Sequence, residues 1–285
     1  MFSNVSHKPP GDPPVCAHSY GSSRLALPQG RDVHVWLLDL HNKGRDGLSL
    51  LDTAETTRAQ RFIHSHEARR YVAAHAWLRR ILARYTGILA ERLRFGHGPY
   101  GKPELLHATD ELGRPLNFNL SRSKDWGLLA VAGGVELGVD IEVVRADLPG
   151  ADLAADVLTN AERGELDALP HAKHADAFVG CWTRKEACLK SLGVGLCVEP
   201  RMLHLGLDHT HAEVYVPEAA WLTARYAKVL GKCKGSRSAA GLIGLELTPL
   251  PCPDSFRAAL AVIGALGEVQ NFGVAQLCSD FGGTN

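Results

Sequence analysis

The sequence lacks an excess of charge of either sign, because its 285 residues include 31 Lys and Arg against 31 Asp and Glu. A protein without net charge has no overall field that attracts nucleic acid, so a charged ligand must be bound by a local cluster. The seven cysteines are odd in number and form no C-x-x-C pair, which argues against a disulfide framework or a zinc knuckle. Long apolar runs and a signal-peptide core are also missing. We therefore expect a cytoplasmic protein that binds neither nucleic acid nor membranes.

Several catalytic signatures are absent as well. The sequence contains no Walker A loop, no G-x-G-x-x-G after a strand and no G-x-S-x-G elbow, which weighs against the enzyme classes that need them. Its 14 histidines include no H-E-x-x-H pair and no acid at ligand spacing, so they are expected to be ordinary core or surface residues rather than zinc ligands.

The hydrophobic pattern predicts an α+β fold of two similar lobes. A composition of 45% apolar and 22% charged residues is sufficient for a real core. Helical spacing is found at 67–85, 151–168 and 173–192, and strand patterns at 32–40, 127–142, 242–250 and 258–263. Each half thus has a long helix and several mostly antiparallel strands. We predict a flexible tail over 1–30, an N-terminal lobe over 31–135 and a C-terminal lobe over 136–285.

Three carboxylates are candidates for chemistry. Asp140 and Glu142 are two residues apart on a predicted strand, so both side chains leave the same face. Glu186 is followed four residues later by Lys190, which places a carboxylate beside an ammonium group on one helix. Taken alone, the first pair is most often a solvated strand face and the second an ordinary surface ion pair. Three carboxylates without a histidine or cysteine partner would suit Mg²⁺.

Basic residues are concentrated in one segment. Between residues 58 and 94 there are nine arginines and two acids, Glu67 and Glu91. The arginines are Arg58, Arg61, Arg69, Arg70, Arg79, Arg80, Arg84, Arg92 and Arg94. Guanidinium groups match phosphate oxygens, so a polyanion or an acidic protein is a natural ligand, although at least half of them are expected to be the solvated face of a helix.

Two further segments have groups suited to phosphate. Lys102 follows Tyr100-Gly101 in a predicted turn, and Ser121, Arg122 and Ser123 end a strand. Backbone amides, hydroxyls and a guanidinium at such positions can bind a phosphate group. Each of these signals is weak by itself.

Together, the motifs YGKP (100–103), FNLSRS (118–123), GVDIE (138–142) and WTRKEACLKSLGVGL (182–196) resemble the surfactin-synthetase type of 4′-phosphopantetheinyl transferase. The resemblance covers about residues 32–265 and excludes the tail and the loop near 219–240. It implies a monomer with its active site between two α+β halves. Such an enzyme moves 4′-phosphopantetheine from coenzyme A to a serine of an apo acyl or peptidyl carrier protein and releases adenosine 3′,5′-bisphosphate.

The resemblance also implies residue roles. Asp140, Glu142 and Glu186 would bind Mg²⁺, with Mn²⁺ as an alternative, and Glu186 and Lys190 would be catalytic. The residues expected to bind coenzyme A are Arg58, Arg70, Lys102, Pro103, Ser121, Arg122 and Lys190. Arg122 stands where the family usually has histidine, so a contact of variable charge becomes permanently charged. Glu162 matches a family acid near the reaction centre, but the resemblance assigns it no role.

Two other functions remain open for the same residues. A carrier-binding module without catalysis could retain the fold, although three mutually repelling carboxylates have no use in it without a metal. A Mg²⁺-dependent nucleotide pyrophosphatase would use the same ion, with water in place of the carrier serine. The predicted substrates are carrier domains of polyketide, nonribosomal-peptide or fatty-acid synthesis.

Overall fold

A computed structural model describes residues 24–41, 45–98, 100–106, 108–109, 113–194, 198–207, 212–217 and 242–273. The strands in these ranges are β1 (Val33–Asp39), β2 (Phe95–His97), β3 (Pro103–Leu105), β4 (Leu116–Ser123), β5 (Trp126–Gly133), β6 (Leu137–Val143), β7 (Ala212–Pro217), β8 (Leu242–Pro249), β9 (Phe256–Ile263) and β10 (Val269–Phe272). The α-helices are α1 (Thr53–Gln60), α2 (Ser65–Thr86), α3 (Ala151–Val157), α4 (Asn160–Asp167) and α5 (His174–Leu192). The predictions for residues 1–23 and for the 219–240 loop lie outside the described residues.

The first sheet has the strand order β10-β1-β5-β4. β5 is antiparallel to both β1 and β4, whereas β10 joins β1 in parallel. One face packs on α2 through a core that includes Trp36 and Leu38, and the alternate residues Val33 and Val35 are buried on the opposite face. The sequence predicts one apolar side for β1, but both of its faces are buried because the sheet lies between two layers.

The second sheet has the order β6-β9-β8-β7 and is antiparallel. On β9, Ala259 and Ala261 pack with α5, while Leu260 and Val262 share a core with Val33 and other residues of the first sheet. The molecule therefore has four layers in the order α2, first sheet, second sheet, α5. This arrangement confirms the predicted α+β class.

Local sequence explains where the helices end. Gly87 and Gly193 follow α2 and α5 with φ of 72° and 70°, a left-handed conformation that glycine adopts without strain. The single helix expected over 151–168 is wrong, because α3 ends at Val157 and α4 begins at Asn160. Thr159 separates them, since its side chain accepts a hydrogen bond from the backbone of Glu162 and caps α4.

The closest contact between α5 and the second sheet occurs at Gly138. A Cβ atom at this position would lie 2.3 Å from the carbonyl oxygen of Ala187 and from the backbone nitrogen of Ser191. Only glycine permits this approach, which places the start of β6 against the last turns of α5. Asn119 of β4 accepts a hydrogen bond from the Val139 backbone and so joins the first sheet to β6. None of the helices in the described ranges is long and apolar enough to cross a membrane.

Candidate active site

The three candidate carboxylates meet where β4, β6 and α5 come together. Asp140 and Glu142 alternate with the fully buried Ile141 along β6, so their side chains leave the face opposite to the core between the sheets. Asp140 is 2% exposed, and Glu142 and Glu186 are half-buried. We refer to Asp140, Glu142 and Glu186 as the carboxylate site.

Hydroxyl and ammonium groups hold part of this site in place. Ser121 Oγ donates to Asp140 Oδ1 at 2.7 Å, and Ser123 Oγ lies 2.8 Å from Glu142 Oε2. Lys190 Nζ is 2.6 Å from the same Asp140 oxygen and 3.1 Å from Ser121 Oγ. The alternating polar residues of β4 therefore reach the acids of β6, and Lys190 partly neutralises them.

Two buried oxygens of the carboxylate site have no hydrogen-bond partner, namely Asp140 Oδ2 and Glu186 Oε1. Burial and the charge of Asp140 raise the pKa of Glu142 to about 7 and also raise the pKa of Glu186. Burial lowers the pKa of Lys190, but the negative charge and hydrogen bond of Asp140 outweigh it and the pKa is raised. The site thus contains more carboxyl groups than its single lysine can neutralise, and their ionised forms disfavour one another.

The donor chemistry of the carboxylate site fits Mg²⁺. Carboxylate oxygens are its preferred protein ligands, and a buried carboxylate oxygen without a hydrogen-bond partner can be satisfied by a cation. Across the part of the chain that the structure describes, no three His, Cys, Asp or Glu side chains already form an arrangement that could hold a metal ion. The acids therefore do not form a complete coordination shell. This is compatible with an ion that binds few protein ligands and coordinates water and phosphate at its remaining positions.

A second charged group lies at the start of α2 and the end of β4. Arg70 contacts two acids, with its Nε 2.8 Å from Asp125 Oδ1 and its Nη1 2.6 Å from Glu67 Oε1. Arg122 Nη1 lies 3.3 Å from the other oxygen of Glu67. We call Arg70, Arg122, Glu67 and Asp125 the arginine cluster. The structure thus brings two of the predicted phosphate contacts together on one carboxylate.

The other arginines of the basic segment have different environments. Arg58 is exposed on α1. Arg79 is completely buried and binds Asp52 and Glu55 as well as the carbonyl oxygens of Ala90 and Leu93. At least half of the nine are exposed as expected, whereas Arg79 ties α2 to the segments before α1 and after α2.

Lys102 links the turn that precedes β3 to the second half of the molecule. Its Nζ donates to the carbonyl oxygen of Leu137 at 2.9 Å and to Glu136 at 3.2 Å. The carbonyl oxygen of Ser191, at the end of α5, lies 3.5 Å away. The neighbouring Pro103 is exposed at the start of β3. Lys102, which belongs to the first half of the chain, therefore contacts protein groups of the second half.

Glu162 is fully buried and has all its contacts within the protein. Its oxygens accept from Lys185 Nζ at 2.5 Å and from the backbone nitrogens of Thr159 and Leu205 at 2.8 Å each. Burial alone would raise the pKa of Glu162, but the hydrogen bonds, first of all from Lys185, lower it. Glu162 thus joins α4, α5 and the 203–207 segment and offers no open oxygen to a ligand.

Sequence reasoning missed the partners of the predicted residues. The sequence predicts Glu67 only as an acid within the basic segment, and it predicts no role for Asp125. The support of Glu142 by Ser123 was also missed, although the alternation of Asn119, Ser121 and Ser123 on β4 is a visible signal that these polar side chains share one face.

Comparison with known proteins identifies the family. A family model described as the 4′-phosphopantetheinyl transferase superfamily matches residues 136–227. A second, described as the N-terminal part of a 4′-phosphopantetheinyl transferase, matches residues 43–133. These two ranges contain the carboxylate site and the arginine cluster, respectively.

Curated relatives agree with the family models. The chain is 33% identical over 168 residues to the 4′-phosphopantetheinyl transferase HetI of Nostoc. The aligned region covers 58% of this chain and 70% of that protein. It is 27% identical over 173 residues to the 4′-phosphopantetheinyl transferase of Bacillus subtilis, 60% of this chain and 73% of that protein. A Synechocystis relative matches over 59% of its own length at 32% identity. The chain belongs to the 4′-phosphopantetheinyl transferase family, and this membership confirms the prediction of an enzyme of that class.

Proposed function

We propose that this chain moves the 4′-phosphopantetheine group of coenzyme A onto a serine of an apo acyl or peptidyl carrier protein, as an enzyme of the surfactin-synthetase type. The observation that carries the proposal is the carboxylate site, where Asp140 and Glu186 each keep one buried oxygen without a partner beside Lys190. Buried acids without partners are unfavourable unless a ligand completes them. A divalent ion and a pyrophosphate, as in coenzyme A, would supply the missing cation and the anion for Lys190.

Asp140, Glu142 and Glu186 are the residues that would hold Mg²⁺, or Mn²⁺ in its place. When bound, the ion neutralises charge on the pyrophosphate and on the leaving group. Ser121 and Ser123 orient the two acids of β6 through their hydroxyls. Lys190 is one quarter exposed, so its ammonium can turn from Asp140 toward a phosphate oxygen.

Glu186 is the proposed general base. In the reaction the serine oxygen forms a bond to the phosphorus next to pantetheine, and the bond from that phosphorus to the leaving adenosine 3′,5′-bisphosphate breaks. The serine proton moves to a Glu186 oxygen. Burial and Asp140 raise the pKa of Glu186, which makes its ionised form a stronger base than an exposed glutamate.

The arginine cluster is the proposed site for the 3′-phosphate of coenzyme A. Arg70 and Arg122 point guanidinium nitrogens at the same carboxylate, so one anion can contact both. Arg58, Lys102, Pro103 and Ser121 remain proposed coenzyme contacts. For Lys102 and Ser121 this role requires sharing donors that now bind Glu136 and Asp140.

The proposal includes the predicted localisation, oligomeric state, division into lobes and carrier substrate. The enzyme is expected to be a cytoplasmic monomer whose lobes divide near residue 135, with the coenzyme phosphates on the N-terminal lobe and the metal on the C-terminal lobe. The carrier domain belongs to polyketide, nonribosomal-peptide or fatty-acid synthesis, and its serine is the acceptor.

Intact-mass analysis tests this function directly. The chain is incubated with coenzyme A, Mg²⁺ and an apo carrier domain, and the carrier is expected to gain the mass of phosphopantetheine. Asp140→Asn should abolish this gain, because it removes a charged ligand while leaving a side chain of similar shape. Cleavage of coenzyme A without carrier modification would instead indicate a pyrophosphatase, and carrier binding without either reaction would indicate a silent binding module.

A further inference from the structure

Glu67 occupies the position in the arginine cluster where an external anion would bind. Its two oxygens are divided between the arginines, with Oε1 2.6 Å from Arg70 Nη1 and Oε2 3.3 Å from Arg122 Nη1. His66 Nε2 approaches the first of these oxygens at 3.4 Å. A phosphate group that binds the same two terminal nitrogens must therefore replace this carboxylate.

Both arginines are held by contacts that do not involve Glu67. Asp125 binds Arg70 through Nε, the nitrogen that does not face Glu67. The guanidinium of Arg122 lies 5.5 Å from the ring centre of Phe62 and 5.9 Å from that of Tyr71, at distances typical of cation–π contacts. The two guanidinium groups would therefore remain oriented if the Glu67 carboxylate left.

Glu67 is ionised and able to move away. Burial raises its pKa, but the hydrogen bonds and charges of Arg70 and Arg122 together outweigh burial and hold the pKa below its usual value. Its side chain is 32% exposed, whereas that of Arg70 is 16% exposed. A rotation of the Glu67 side chain toward water therefore opens the cluster without displacing a packed residue.

We propose that Glu67 is an internal competitor that sets the affinity of the arginine cluster for phosphate. The identity of the ligand as the 3′-phosphate of coenzyme A rests on the function proposed above. A phosphate dianion offers more charge and more acceptor oxygens than one carboxylate, so it displaces Glu67. The return of Glu67 weakens the hold on adenosine 3′,5′-bisphosphate and so favours release of this product.

The two acids that bind Arg70 are then expected to have opposite effects. Glu67→Gln removes the competitor and should tighten binding of adenosine 3′,5′-bisphosphate by about tenfold, since a charge in contact with both arginines is lost. Asp125→Asn removes the group that orients Arg70 and should weaken the same binding. Adenosine 5′-monophosphate, which lacks the 3′-phosphate, should bind the wild type and Glu67→Gln equally. Glu91→Gln, a loss of one exposed acid outside the cluster, is the matched control and should change neither affinity.

Titration calorimetry with the whole chain measures these affinities. A second experiment uses inorganic phosphate as the ligand, so its result does not depend on coenzyme chemistry. At constant ionic strength, inorganic phosphate should raise the melting temperature of Glu67→Gln more than that of the wild type or Glu91→Gln. Unchanged or weaker anion binding by Glu67→Gln would overturn the proposal and make Glu67 a positioning residue for the arginines. If carrier modification fails but Glu67→Gln still binds phosphate more tightly, the proposed function is wrong and the competitor role stands.

Discussion

Lys185 and Glu186 are neighbours on α5, but their charged groups have different environments. Lys185 and its partner Glu162 are both completely buried, and every Glu162 oxygen accepts hydrogen bonds from the protein. Glu186, one position later, has an oxygen without any partner and lies close enough to Asp140 for that charge to raise its pKa. The first pair has all its hydrogen-bond partners within the protein, whereas Glu186 keeps one oxygen without a partner.

This contrast adds to what the sequence resemblance implies. Glu162 and Glu186 both match acids of the family, but the resemblance gives a role to Glu186 and none to Glu162. In the structure Glu162 caps α4 and anchors the 203–207 segment, and only Glu186 belongs to the carboxylate site. If Glu162 supports the fold and Glu186 has the proposed catalytic role, substitution of Glu162 should change stability and substitution of Glu186 should change turnover.

The largest expected effect is on turnover. Glu186→Gln should lower the rate of carrier modification by ~10²–10⁴-fold, because an amide cannot accept the serine proton. Excess Mg²⁺ or Mn²⁺ should not restore the rate, while coenzyme A binding in saturating Mg²⁺, measured by calorimetry, is largely retained. Its stability should not fall, since the substitution removes a carboxylate that Asp140 repels. Full recovery at high metal would assign proton removal to another group.

The next largest effect is expected on stability, when the buried pair of Lys185 and Glu162 is broken. Glu162→Gln leaves the Lys185 ammonium buried without a counter-charge, which typically lowers the free energy of unfolding by ~3–5 kcal/mol. Urea denaturation followed by far-UV circular dichroism measures this loss. Asp167→Asn, an exposed acid on the same helix, is the control and should leave stability nearly unchanged. Equal stabilities of the two variants would contradict the structural role of Glu162.

A smaller effect is expected at the arginine cluster. Arg70→Ala should raise KM for coenzyme A about tenfold to a hundredfold, since a charge-assisted hydrogen bond is worth ~1.5–3 kcal/mol. The KM for dephospho-coenzyme A, which lacks the 3′-phosphate, should change much less. Arg69→Ala is the matched control, because Arg69 is exposed on the same helix beside it. If Arg70→Ala weakens both substrates equally, Arg70 contacts another part of the ligand or supports the fold.

The smallest effect is the pH dependence that Glu162 confers. Its pKa is lower in the folded chain than the ordinary value of 4.5, so the folded state binds its proton less readily than the unfolded state. The resulting stability is fully present above about pH 4.5 and is lost as the pH falls through the folded pKa, with a tenfold change in proton affinity worth about 1.4 kcal/mol. Urea midpoints measured from pH 6 down to about pH 3 should therefore fall less steeply below pH 4.5 for Glu162→Gln than for the wild type. Parallel curves would show that other acids control acid unfolding.

Much of the fold could be predicted because its signals are local. The long helices α2 and α5 follow from apolar residues at helical spacing and from glycines that end them, and β1, β5 and β6 from apolar strand runs. The break between α3 and α4 is not predicted from hydrophobic spacing, although Thr159 and Glu162 have the sequence spacing of a capping box that starts a helix. The burial of Arg79 was missed because its partners Asp52 and Glu55 lie more than twenty residues away in sequence.

The sequence by itself determined the neutral overall charge, the α+β pattern and the placement of Asp140 and Glu142 on one strand face. These properties depend on composition or on residues within a few positions of each other. Only the tertiary structure decided which charges are paired: Lys190 meets Asp140 across 50 positions, and Arg122 meets Glu67 across 55. Such contacts arise from the packing of whole sheets and helices, and no local pattern specifies which acid is satisfied and which keeps an oxygen for a ligand.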